Sequence, residues 1–301
     1  MSLHFPQVRR LRALTAARIS VGAAKAAVLL IFCAAVVVPF ISIISTSLAD
    51  SRQVYAAGGL VLWPERPSFD AYRAVLSGGV VSRALLVSIG VTLVGTLLSL
   101  VVTTTMAYGL SRSGSFAHKP ILMLVLFALL FTPGIIPNYL MVKGLGLLDS
   151  YWSLILPVLV NPFNVIVVRA FIMNIPADLI DAAKIDGANE FQTFVRIILP
   201  LSKAVLAVVG LFVAVGYWNN FFNALLYIND QTKWPLQLVL RTYVVNNATL
   251  SASDLGGAES LPPQQSLQMA ILVISLIPIV LIYPFLQRHF AKGVLVGAVK
   301  G

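Results

Sequence analysis

Six runs of apolar residues succeed one another along the chain, with polar segments between them. They run near Ala26–Leu48, Ala84–Leu110, Pro120–Val142, Tyr151–Val168, Ala204–Ile228 and Ser266–Leu286. A helix needs about 20 apolar residues to cross the hydrocarbon of a bilayer. None of the six contains Asp, Glu, Lys or Arg. The fourth is the shortest and holds Pro157 and Pro162; Pro133 and Pro137 lie in the third, Pro278 and Pro284 in the sixth. Such breaks are tolerated where a neighbouring helix or a cavity satisfies the freed carbonyls. The pattern predicts an all-α polytopic membrane protein with six transmembrane helices. It divides into a basic leader (1–25), a transmembrane domain (26–286) and a tail (287–301). The first run could instead be a cleaved signal peptide. Its long basic leader, its length and the lack of a clear A-x-A site favour retention.

Composition agrees. The chain is 58% hydrophobic and 11% charged, against about 25% charged in soluble domains. Its single cysteine, Cys33, lies in an apolar run and cannot form an internal disulfide. The net charge of +10 matters less than its distribution. With the N-terminus inside, 14 of the 21 Lys and Arg fall in inner segments. Such a bias favours both termini in the cytoplasm of a cell whose plasma membrane holds the chain. The positive charge therefore reads as topology, with membrane lipid as a partner and no nucleic acid. Two outer segments, about 35 and 37 residues long, follow the first and fifth runs. Trp63, Pro64 and Pro67 mark the first, and Gly256, Gly257, Pro262 and Pro263 the second. They are connectors or surfaces for a soluble partner.

The inner segment 174–200, between the fourth and fifth runs, reads NIPADLIDAAKIDGANEFQTFVRIILP. It predicts two short helices joined at Gly187. Pro176 suits a first helical turn, and Asp178 and Asp181 suit the positive end of the helix dipole. Leu179, Ala182, Ala183 and Asp186 follow helical spacing. Gly187 permits a backbone turn that a side chain would block. Phe191, Phe194, Val195 and Ile198 predict an apolar stripe. The small residues Ala182, Ala183 and Gly187 would let another protein approach closely, and a short helix in a partner's cleft is a recurring docking mode.

Here a family resemblance enters. Asp181-Ala182-Ala183, three residues, Gly187, nine residues, then Ile197-x-Leu199-Pro200 resembles the EAA signature of ABC-importer permeases, with Asp181 where that family usually has Glu. The tail from Tyr283 to Gly301 and the phrase Trp218-Asn219-Asn220-Phe221-Phe222 are similar to the sugar-importer branch. Within it they resemble relatives of the smaller maltose-transporter permease and its oligosaccharide and polysaccharide subgroup. The resemblance implies the type I importer permease fold, with a cytoplasmic coupling helix between the fourth and fifth spans. It implies a second, non-identical permease, two copies of a separate ATPase and an extracytoplasmic binding protein that delivers sugar. ATP and Mg would bind the ATPase, with no cofactor on this chain. Asp181, Ala182, Ala183, Asp186, Gly187, Ile197, Leu199 and Pro200 would couple to the ATPase. Gln287, Gly293, Gly297 and Lys300 would reach into the ATPase dimer; alone, that tail reads as a basic terminus near anionic lipid. The organism would be bacterial.

Catalytic chemistry is not legible in the chain. It has no G-x4-G-K-[ST] phosphate loop, and His4, His118 and His289 stand apart without metal-ligand spacing. A transport subunit, not an enzyme, is expected. Ion-coupled carriers usually bury carboxylates, His or Lys; the six runs offer no Asp, Glu, Lys or Arg, which favours an external energy source. Neutral sugars bind through hydrogen bonds and ring faces. The candidates are Asn138, Tyr139, Asn161, Asn164, Trp218, Asn219, Asn220 and Asn223. Asn161 and Asn164, three apart, are expected on one helical face, as are Asn219 and Asn223, four apart. Amides so placed line a solute cavity or join helices to one another. Thr103, Thr104 and Thr105 read as bonded back to their own helix, and Gly90 and Gly95 as points of close packing. Two other readings stay open: an ABC importer permease for a non-sugar solute, and a membrane scaffold or sensor.

Overall fold

The computed structural model describes the backbone of residues 6–112, 114–257 and 261–298, and side chains from 25 to 284 within those ranges. Among the described residues the chain is helical, without strands. Its helices are α1 (Pro6–Leu48), α2 (Ser51–Ala56), α3 (Asp70–Val75), α4 (Val80–Ser111) and α5 (His118–Leu130). Then come α6 (Ile135–Gly144), α7 (Trp152–Ile155), α8 (Pro162–Met173), α9 (Ala177–Ile185), α10 (Glu190–Thr193) and α11 (Leu199–Leu201). The last are α12 (Lys203–Trp218), α13 (Phe222–Tyr227), α14 (Leu236–Leu240) and α15 (Gln264–Ala298).

Two compact units divide the chain. The first takes residues 1–73 and 261–273. From Ala26 onward its α1 carries no charged residue, and the residues from Lys25 to Ile41 are exposed. That suits a helix covered by lipid or another subunit. The end of α1 holds the segment that follows it. Thr46 Oγ1 accepts from the Val61 N–H at 2.9 Å, Ser45 Oγ donates to the Leu62 carbonyl at 2.9 Å, and Ser47 bonds Tyr72 at 2.7 Å. Ala49, Val54 and Val61 close a small apolar core there.

The second unit takes residues 74–260 and 274–301. Its axis is α4, which packs on α12 and α8. The α4–α12 crossing is close because Gly95 lies under the Tyr217 ring: a Cβ there would stand 2.7 Å from Cζ. Tyr217 in turn bonds Ser99 at 3.0 Å. Gly95 thus packs as expected. Gly90 does not; a Cβ would meet open space, and the residue lines an apolar groove with Val87, Val91 and Trp152. Thr104 and Thr105 bond the carbonyls of Leu100 and Val101, one turn back.

The six runs map onto helices unequally. Three helical stretches, from Lys25 in α1, in α4 and to Pro284 in α15, are each long and apolar enough to cross a membrane. Two bent pairs raise the number to five among the described residues. In one, the α7 stretch meets α8 at 53°; in the other, the α10–α11 stretch meets α12 at 78°. The third run is split into α5 and α6 around Pro133 and Gly134. The fifth ends as α12 at Trp218 and resumes as α13 at Phe222, with no proline at the break.

Candidate functional site

Two regions of the second unit collect the residues singled out by sequence. The first is the elbow from α9 to α11. Its bend is built by the main chain. Gly187, at φ 80°, donates its N–H to the Lys184 carbonyl at 3.0 Å, and Ala188 donates to Ala183 at 2.9 Å. This paired arrangement ends a helix by satisfying carbonyls that otherwise lack partners, and its left-handed residue is usually glycine. Pro176 stands just before α9 as its N-cap, one position earlier than expected. The next helix starts at once. Asn189 accepts from the Gln192 N–H at 2.8 Å while the Gln192 side chain accepts from the Asn189 N–H at 3.0 Å. That reciprocal cap fixes the start of α10.

The helical elbow expected from sequence is therefore present, but its faces differ. Ala183 is buried against its own chain, so it is not a small residue offered to a partner. Asp181, Ala182, Asp186, Gly187 and Pro200 are exposed; Ile197 and Leu199 are half-buried. The expected stripe is divided. Ile198 is buried and Phe194 packs on the same core, whereas Phe191 and Val195 face outward. A π-helical turn over Phe194–Ile198 contributes to this division, because it shifts side chains from α-helical register. Sequence reasoning missed Ile185, 87% exposed beside the bend. Its signal was an apolar residue between Lys184 and Asp186 at a helix end.

Sequence reasoning also missed the anchor of this elbow. Tyr108 on α4 donates to Glu190 Oε2 at 2.6 Å, and Arg112 donates to Tyr108 at 2.8 Å and pairs with Glu190 at 3.3 Å. The Tyr108 ring lies 5.0 Å from that of Phe194. Arg169 on α8 donates to the Leu110 carbonyl at 2.7 Å, where a cation complements a helix C-terminus. No spacing rule joins positions 78 residues apart.

The second region lies where two helices break. A half-open cavity of about 300 Å³ is lined by Val158 and Asn161 on one side and Val213, Gly216, Tyr217, Asn220 and Asn223 on the other. Asn161 caps α8 by accepting from the Asn164 N–H at 3.2 Å, and Asn220 accepts from the Asn223 N–H at 3.2 Å. Irregular backbone at membrane depth is tolerated where it lines a cavity or is buried in protein.

Three of the eight candidate path residues thus meet: Asn161, Asn220 and Asn223. The others do not join that lining. Asn164 is buried, and because Asn161 precedes α8 the two do not share a helical face. Asn219 ends α12 and Asn223 sits in α13, so the spacing of four does not align them either; Asn219 bonds back to Val215. Trp218 is buried and donates to the Ser275 carbonyl at 3.0 Å. Tyr139 stacks near Tyr227, and Asn138 is half-buried on α6. Gln287, Gly293 and Gly297 fall in the helical run of α15, but their side chains, and Lys300 altogether, lie outside the described residues.

A third cluster ties two turns together. Asp149, at φ 57°, accepts from the N–H groups of Asp230 and Asn229, and its own carbonyl accepts from Lys233 at 2.9 Å. Those two backbone donors hold its carboxyl below the ordinary 3.8.

Among the described residues the chain is thus a set of broken apolar helices without strands, with an amide-lined cavity and a capped elbow. The chain belongs to the family of binding-protein-dependent transport system inner membrane components, whose model matches residues 99–296. It is 46% identical, over 91% of this chain and 96% of the relative, to the polygalacturonan/rhamnogalacturonan transport system permease protein YtcP of Bacillus subtilis (strain 168). It is 30% identical to the arabinooligosaccharides transport system permease protein AraQ of the same organism, over 87% and 90% of the two chains. A chain in the crystal structure of a bacterial ABC transporter that imports the acidic polysaccharide alginate matches with a TM-score of 0.81 at 28% identity, over 96% of this chain and all of that one. The protein is accordingly a multi-pass membrane permease of an ABC importer, and its named relatives are sugar-transport permeases. Such a permease works with a partner permease, an ATPase and a binding protein.

Proposed function

We propose that this chain is one of two non-identical permeases lining the path of an ATP-driven importer for an oligosaccharide. Taken with their broken halves, the apolar helices make six spans with both termini inside. An extracytoplasmic binding protein delivers the solute. Two ATPase copies hold the ATP and Mg, and each receives one permease's elbow. Closure of the ATPases moves α9 and, through it, the bundle. The residues for that contact are Asp181, Ala182, Asp186 and Gly187, with the tail at Gln287, Gly293, Gly297 and Lys300 adding to it. Asn161, Asn220 and Asn223 offer donors and acceptors to sugar hydroxyls, which suits the saccharides named for the relatives.

One observation carries the reading. The chain ends α9 with a left-handed glycine and leaves Asp181, Ala182, Ile185 and Asp186 uncovered beside it. An apolar Ile185 that exposed is a contact awaiting a partner. Gly187→Arg tests it, since an L side chain is strained at φ 80° and would also project from the contact face. The variant is expected to reach the membrane at normal level, lose the ATPase on purification and abolish uptake. Uptake at the wild-type rate would refute the coupling role. Measuring which saccharide, from a panel of galacturonate and arabinose oligomers, stimulates hydrolysis by the purified complex identifies the solute.

A further inference from the structure

The coupling elbow does not hang free between α8 and α12. Its second arm is pinned to the far end of α4, which in sequence belongs to another part of the bundle. Glu190 opens α10, Tyr108 and Arg112 lie in or just after the last turn of α4, and the three polar groups close a triangle at 2.6, 2.8 and 3.3 Å. The Arg112 guanidinium also lies over the Tyr108 ring at 5.1 Å, and that ring meets Phe194. The same end of α4 is also held by Arg169 of α8 through the Leu110 carbonyl. The segments before and after α9 thus both grip the end of α4.

We infer that Tyr108, Arg112 and Glu190 form a transmission joint: a push on the elbow is delivered directly to α4, and so to the helix packed against α12 beside the cavity. The inference rests on the coupling role proposed above. The energetics suit a joint better than a stabilising tie. Arg112 is 25% exposed and Glu190 64%, and ion pairs so placed add little to folding. The bonds are directional, however, and they couple elements that the main chain connects only through some 78 residues. All three are positioning residues; none lies in the cavity lining.

The test uses the full complex with its ATPase, and MgATP as the probe. An environment-sensitive fluorophore is placed on α4 by Leu97→Cys in a Cys33→Ser background; Leu97 is 65% exposed. In the wild-type arrangement MgATP changes the signal. Glu190→Gln is expected to keep the ATPase bound and hydrolysis within about twofold, while the MgATP-driven signal falls roughly 2- to 30-fold, the range by which residues between coupled sites alter coupling. Tyr108→Phe is expected to act in the same direction. The swap Arg112→Glu with Glu190→Arg restores the signal, which a general loss of folding would not allow. An undiminished signal in Glu190→Gln, or no MgATP response of α4 in the parent protein, overturns the joint. If the ATPase never accompanies the parent protein, the proposed function fails instead.

Discussion

Asp149 shows how one side chain can hold two turns. A non-glycine residue in the left-handed region is uncommon, and Asp is among the few types enriched there. Here its carboxylate gathers main-chain donors from Asn229 and Asp230, which offset that backbone cost. Because these bonds favour the charged form, the folded carboxyl titrates below 3.8. The sign follows from linkage: the contribution is fully present above the unfolded value and is lost as pH falls through the lower, folded one. Asp149→Asn preserves the backbone preference but loses the charge. Its melting temperature is expected to lie below the parent's by a constant gap from pH 7 down to about pH 5, closing as pH drops under 3.8. A gap that closed near neutrality would contradict this assignment. None of this was legible in sequence, where Asp149 was one polar residue between two apolar runs. Gly187 was legible, because only a few residue types tolerate its conformation. Ala183 misled because smallness permits burial against the chain's own helices as readily as approach by a partner.

At the level of elements, apolar run length located most helices but not their interruptions. Pro133 and Pro162 flagged two of the breaks. The break after Trp218 had no such mark; there Asn220 bonds the Asn223 N–H, an alternative to continued helix that short amides supply. The phrase noticed for its aromatic and amide residues is the interruption itself. Face assignments built on uninterrupted spacing therefore failed at Asn161 with Asn164 and at Asn219 with Asn223, while Asn161, Asn220 and Asn223 line one cavity. This separates two kinds of asparagine. Asn161→Ala removes an N-cap and costs about 1 kcal/mol of stability. Asn223→Ala removes a side chain that lines the cavity but leaves both caps in place. It is expected to raise the saccharide concentration for half-maximal uptake about tenfold, near 1.4 kcal/mol, with an unchanged melting temperature. Unaltered uptake kinetics would remove Asn223 from the path.

For the whole molecule, the surface is as informative as the core. Leu29, Leu30, Ile31 and Phe32 of α1 are each more than 60% exposed, and none of its apolar window is buried within the chain. Apolar surface on this scale marks contact with lipid or protein. The exposed side chains from 28 to 38 consequently carry no packing obligations toward the chain's own core, so exchanging them opens no internal void. Tryptophan scanning along residues 28–38 then acts as a survey of the outside world. Positions open to acyl chains should accept the larger ring silently, whereas a seam against another subunit should show as periodic losses of assembled complex every three to four residues. A uniformly silent scan would mean that lipid alone surrounds this helix.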